Sequence, residues 1–245
     1  MIICEVGLNH MGDIKYANEY IDRIIDAKSD GAIFHLREKS FYLGNIGSKL
    51  ILPDEFYFQA AKKLKKNGLK FGIALADPDR IDFCEKVDVD FYKIFSRDIN
   101  DTILLNKIIK TKKKTFVSTG LSDIREIRRF VRLVKSHKKR FTLVHTQLDN
   151  DLDLVNLKAI PMLKEKFGMP VAYGNHAGNP NVLYVALAYE PTDLLFYVKG
   201  TKVERHVDEP HAVALGELDR IINDLRELPR SIGERIKIKM NPRIK

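Results

Sequence analysis

Ile2-Ile3-Cys4-Glu5-Val6-Gly7-Leu8-Asn9-His10-Met11-Gly12-Asp13 is the stretch on which the reading of the chain turns. An apolar start runs directly into a carboxylate, an amide, an imidazole and two glycines. A buried strand that ends in polar groups is expected at the C-terminal edge of a parallel barrel, where side chains from successive strands converge.

Outward from that stretch the chain repeats strand and helix. Strands are predicted at residues 2–6, 32–36, 71–75, 91–95, 115–119, 141–145 and 171–174, from short apolar runs between turn signals. Helices are predicted between them, among them residues 16–28, 53–67 and a basic helix capped by Ser122. Beyond residue 174 the pattern loosens. The charged segment 202–207 is read as strand eight, with the apolar run 194–198 as an insertion before it and a closing helix over 214–228. Eight strands alternating with helices predict an α/β fold, a (β/α)8 TIM barrel in a single domain over residues 1–233, with 234–245 as a basic, frayed tail.

Composition narrows the classes. The chain has 245 residues with 44% hydrophobic content, enough for one large core. No apolar run approaches the roughly 18 residues of a membrane helix, and no signal peptide is expected. Cys4 and Cys84 are the only cysteines, both in apolar surroundings, which fits a reduced, cytoplasmic protein. The formal charge is +9, but the cations are dispersed over helical stretches such as 62–66, 110–114 and 125–140. These read as solvated faces, so neither nucleic acid nor membrane is expected as a partner.

Polar residues recur at strand ends: Glu5, Asn9 and His10; Lys93, Ser96 and Asp98; Ser118 and Thr119; His145; Asn175 and His176; Glu204 and His206. His176 and His206 fall on adjacent predicted strands, so they are either two ligands of a divalent metal or two hydrogen-bonded core-edge histidines. Lys93 points into the barrel and needs a partner, which is either a carboxylate such as Glu5 or Asp98 or a bound anion.

Seven ordered motifs resemble the sialic acid synthase family. Residues 5–13 match its opening E-I-G-x-N-H-x-G, and Asp90-Phe91-Tyr92-Lys93-Ile94-Phe95-Ser96 is similar to D-A-Y-K-I-A-S. Val117-Ser118-Thr119-Gly120 resembles L-S-T-G, and Leu143-Val144-His145 resembles L-L-H. Asn156-Leu157-Lys158-Ala159-Ile160-Pro161 resembles N-L-R-A-I-P, Tyr173-Gly174-Asn175-His176 resembles Y-S-D-H, and Val203-Glu204-Arg205-His206 resembles I-E-K/R-H. The resemblance implies a TIM barrel that condenses phosphoenolpyruvate with an N-acetylated aminosugar or related aldose to give a 2-keto sugar acid. It implies a divalent metal (Mn, Mg or Co) on His176 and His206, and a possible homodimer. Glu5, Asn9 and Lys93 are then the catalytic candidates. Ser96, Arg97, Asp98, Ser118, His145 and Asn175 are the substrate-binding candidates.

The departures lie in the substrate site. Phe34 stands for the family's phosphoenolpyruvate-binding lysine, and Ala74 falls where strand three loses its phosphate-binding hydroxyls. Leu148, Gly174 and Pro210 replace polar contacts, the last a sugar-binding aspartate. The family's C-terminal antifreeze-like domain is expected to be lacking. Arg97, with Arg37, Lys39 and Lys199, is expected to restore positive charge, or else to pair at the surface with Asp98. The alternative to a divergent enzyme is a catalytically inactive barrel that serves as a binding or scaffold protein in sugar-acid or surface-polysaccharide biosynthesis.

Overall fold

The computed structural model describes residues 1–203, 205–234 and 236–237. Glu204 and most of the predicted tail lie outside the described residues. Eight parallel strands form the barrel: β1 (Ile2–Gly7), β2 (Gly31–Leu36), β3 (Lys70–Leu75), β4 (Phe91–Ile94), β5 (Lys114–Ser118), β6 (Phe141–His145), β7 (Val171–Asn175) and β8 (Leu194–Lys199). Each pairs with its successor, and β8 returns to β1 with Ile2 opposite Leu194 and Glu5 opposite Tyr197. Around them run α1 (Ile14–Asp26), a short α2 (Lys39–Tyr42), α3 (Asp54–Lys66), α4 (Ile81–Val87), α5 (Thr102–Thr111), α6 (Ile124–Leu133), α7 (Ala159–Phe167), α8 (Val182–Leu187) and α9 (Leu218–Glu227). A two-residue β9 (Val213–Ala214) pairs with the end of β8. Among the described residues no helix is long and apolar enough to cross a membrane.

The barrel predicted from the sequence is present, but its eighth strand is not the predicted one. The apolar run 194–198 is the closing strand, and residues 202, 203 and 205–207 form no strand. The reason is burial. A strand inserted between β7 and β1 is hidden on both faces, which Leu194 to Val198 tolerate and exposed Lys202 and Arg205 do not. A second correction concerns α6. Asp123, not Ser122, is its cap, accepting from the Arg125 and Glu126 amides at 2.7 and 2.8 Å while Glu126 accepts from the Asp123 amide.

One residue from each strand fills the barrel interior: Ile3, Ile33, Ala74, Phe91, Phe116, Val144, Ala172 and Leu195. Phe91 and Phe116 meet edge to face at 5.4 Å, and Gly72 makes room for them, since a Cβ there would lie 2.1 Å from Phe91. Strand side chains alternate between faces, so this plug settles which polar residues enter the mouth. Two positions further along lie Glu5, His35, Lys93, Ser118, Thr146, Gly174 and Tyr197. Phe34, His145 and Asn175 have the opposite parity and face the surrounding helices.

Candidate active site

Lys93 crosses the mouth to Glu5. Its ammonium donates to both carboxylate oxygens at 2.6 and 2.5 Å, and both residues are buried. Neither charge is stable alone in such a place. Burial pushes the Glu5 carboxyl upward, but Lys93 and His35 outweigh it and hold Glu5 below the usual carboxylate range. His35 Nε2 lies 3.9 Å from Glu5 and 3.3 Å from the Tyr197 hydroxyl. Gly7 at φ +56° closes this corner, because a Cβ there would sit 2.7 Å from Asp208 Oδ2 and 2.8 Å from Tyr197.

Beside the pair is a cavity of about 160 Å³ reached by Arg37, Lys93, Ser96, Arg97, Ser118 and His176. Ser96 and Ser118 hydroxyls are 2.8 Å apart, and the Gly120 amide donates to Ser96 Oγ at 3.0 Å. Two hydroxyls and an ammonium on the ends of β4 and β5 form a compact set of donors. Arg37 and Arg97 flank it, sharing one oxygen of Glu38 at 3.2 and 2.6 Å. Burial pushes Glu38 up, yet the two arginines hold it down at about 2. Arg37 also lies 4.3 Å over the Phe41 ring, so it is fixed in direction as well as charge. Two buried polar atoms of this region, Thr146 Oγ1 and His211 Nε2, have no hydrogen-bond partner among the described residues. Such atoms are rare in a folded interior and mark places where a ligand or water completes the network.

The histidines divide differently from the expectation. His176 stacks on His211 with centroids 4.3 Å apart and meets Tyr197 edge-on at 5.4 Å. Burial lowers the two imidazoles to about 3 and about 4, so both are neutral at pH 7. His206 instead holds the Tyr16 hydroxyl through Nε2 at 2.8 Å, and its Nδ1 is 3.7 Å from Glu209. Among the described residues no three His, Cys, Asp or Glu side chains gather as a metal-ligand group. Nε2 of His206 is thus engaged by Tyr16, while His176 faces His211 and Tyr197.

Other predicted site residues are occupied elsewhere. Asn9 donates to the Val198 carbonyl and accepts from the Asp208 amide, both at 2.9 Å, so it ties β1 to β8 and the segment after it. His145 bonds the Val155 carbonyl at 2.9 Å beneath the β6–α7 loop. Asn175 accepts from Tyr173 at 2.9 Å and donates to the Ala177 carbonyl. Strand parity turns both His145 and Asn175 away from the mouth, which corrects their expected role. Asp98 is half-buried and pairs with Arg97 at 3.5 Å. Phe34 packs outward against Phe56 and Phe71, so the cation-side residues here are inward-facing His35 of β2 and Arg37 just after it. Of the residues that line the site, His35, Tyr197, Thr146 and His211 were not picked out from the sequence. Alternation from Ile33 and Val144 points to His35 and Thr146. Tyr197 was hidden by the misplaced eighth strand.

The NeuB family profile matches residues 2–237 of this chain. An uncharacterised protein of Methanocaldococcus jannaschii is 30% identical over 254 residues, covering 98% of this chain and 74% of that protein. The N,N'-diacetyllegionaminic acid synthase of Campylobacter jejuni is 28% identical over 269 residues, covering 97% and 78% respectively. Among solved structures, an N-acetylneuraminic acid synthetase from Leptospira borgpetersenii superposes with a TM-score of 0.88 at 23% identity, covering 99% of this chain and 87% of that one. That likeness bears on the barrel alone.

Proposed function

The chain belongs to the NeuB family, whose named relatives are sugar-acid synthases, and from this premise we propose that it condenses phosphoenolpyruvate with an N-acetylated aminosugar or related aldose to give a 2-keto sugar acid. The observation that carries the reading is the donor set of Ser96, Ser118 and Lys93 at one strand edge, flanked by Arg37 and Arg97. Such a set suits a ligand that bears both phosphate and carboxylate. The two serine hydroxyls and Lys93 would bind the phosphate. Arg37 and Arg97 would take the carboxylate, displacing Glu38. Glu5 would hold Lys93 in position and orient a water or hydroxyl at the reacting carbon. His176 and His211, neutral and stacked, offer ring N–H donors to the acceptor aldehyde.

A divalent metal would act as a Lewis acid on that aldehyde. His176 reaches the mouth but His206 is engaged with Tyr16, so no step here runs through a metal. Cytoplasmic location and a homodimer belong to the same proposal. A second reading, a catalytically silent barrel acting as a binding or scaffold protein, is favoured by one observation: Glu5 already pairs with Lys93, and Glu38 already bridges the two arginines.

Isothermal titration of metal-stripped protein with phosphoenolpyruvate separates the two, with manganese, magnesium or cobalt added back in parallel. Saturable binding followed by phosphate release with an N-acetylated aminosugar is the expected result. No binding in any arm would overturn the synthase reading.

A further inference from the structure

A second cavity, of about 350 Å³, lies outside the barrel wall, where the segment after β2 folds over the start of α3 and the turn after β3. Its size falls within the range of small-molecule sites. Leu36, Ile51 and Leu52 supply apolar walls, and Tyr57, Lys39 and Arg37 supply polar ones. Most charges around it are already answered. Arg80 pairs with Asp54, Arg37 with Glu38, and Asp77 accepts from the Asp79 amide at 2.9 Å.

Two donors are left over. Tyr57 is 2% exposed, and its hydroxyl, which borders the cavity, has no hydrogen-bond partner among the described residues. Lys39 has no carboxylate within salt-bridge distance among the described residues, although it stands at the same cavity. A phenol that faces a cavity and has no acceptor in the protein is free to donate to whatever occupies that cavity. Lys39 and the Tyr57 hydroxyl stand beside an apolar wall, with Asp54 paired to Arg80 and Asp77 accepting a backbone N–H, and together they suit an anion on an apolar body.

We propose that this cavity is a second ligand site, for a small molecule with an apolar or aromatic body and one anionic group, a carboxylate, sulfonate or phosphate. The body lies on Leu36, Ile51 and Leu52. The anion is held by Lys39 and the Tyr57 hydroxyl. Arg37 borders both this cavity and the mouth, so occupancy of one site alters the other, and the coupling is reciprocal. The site itself stands apart from the synthase reading; the coupling to phosphoenolpyruvate rests on it.

The test is a fluorescence titration of the full chain with 8-anilinonaphthalene-1-sulfonate, an aromatic body carrying one sulfonate. One saturable site per chain is expected. Lys39→Glu and Ile51→Trp, both at exposed positions, should each weaken it at least tenfold with an unchanged melting temperature. Tyr57→Phe should weaken it about tenfold or more, the loss of one hydrogen bond to a charged group. Absence of saturable binding, or binding that survives both Lys39→Glu and Ile51→Trp, would overturn the proposal. Because this titration contains no phosphoenolpyruvate, its failure is distinguishable from failure of the synthase reading. With the probe bound, a shifted phosphoenolpyruvate affinity supports the coupling through Arg37, and an unchanged one removes it.

Discussion

The Tyr16 hydroxyl, on the first helix of the barrel, sits 2.8 Å from Nε2 of His206, more than 180 residues later in the chain. The bond anchors the irregular segment after β8 against α1. If that is the role of His206, His206→Ala destabilises the fold by about 1–3 kcal/mol, the cost of leaving the buried Tyr16 hydroxyl without an acceptor for its proton. It leaves phosphoenolpyruvate affinity within about twofold, as calorimetry would measure. Loss of a metal-dependent increment in that affinity would instead assign His206 to a metal.

Removing one partner of the Glu5–Lys93 pair strands the other charge in the barrel. Lys93→Met should cost about 3–5 kcal/mol in urea unfolding. The double variant Glu5→Gln/Lys93→Met should recover most of that loss while still failing to bind phosphoenolpyruvate.

Ser96 and Ser118 share a hydrogen bond and both face the mouth. Ser96→Ala and Ser118→Ala are each expected to weaken phosphoenolpyruvate binding about tenfold, equivalent to about 1.4 kcal/mol. The melting temperature should move by no more than a few degrees, since Ser118→Ala removes only the shared hydrogen bond and Ser96→Ala removes that bond and the one from the Gly120 amide.

Glu38 occupies the arginines that an incoming anion needs. Glu38→Gln removes the competing charge, so affinity for phosphoenolpyruvate should rise several-fold at low salt. The gain should shrink as ionic strength screens the exposed Arg97. A fall in affinity would mean that Glu38 chiefly positions Arg37 and Arg97.

His10 is wholly buried, accepts from the Gly12 amide at 3.0 Å through Nδ1, and has no partner at Nε2 among the described residues. Burial lowers it from the ordinary 6.5 to about 3. As pH falls, the unfolded chain takes up the proton first. The stability contributed by neutral His10 is therefore complete above about pH 6.5 and lost progressively toward pH 3. His176 and His211 act in the same direction. Urea midpoints between pH 7 and pH 5 should fall with a slope of up to about 1.4 kcal/mol per pH unit for each histidine. His10→Gln should flatten that slope by one proton.

The alternation of apolar runs and amphipathic helices determined the barrel, its first seven strands and the edge where chemistry is built. That information is local, because a strand buried on both faces must be apolar along its length wherever it lies. The same feature placed Glu5 and Lys93 in the mouth, since each interrupts such a run. The partners within the mouth are another matter. Whether His176 meets His206 or His211, and whether His145 and Asn175 face the ligand or the helices, depends on strand parity and on which segment closes the barrel. Parity changes face with each single-residue step, and closure depends on which run can be hidden between β7 and β1. Only the folded chain decides these, because they are set by packing among residues that lie far apart in the sequence.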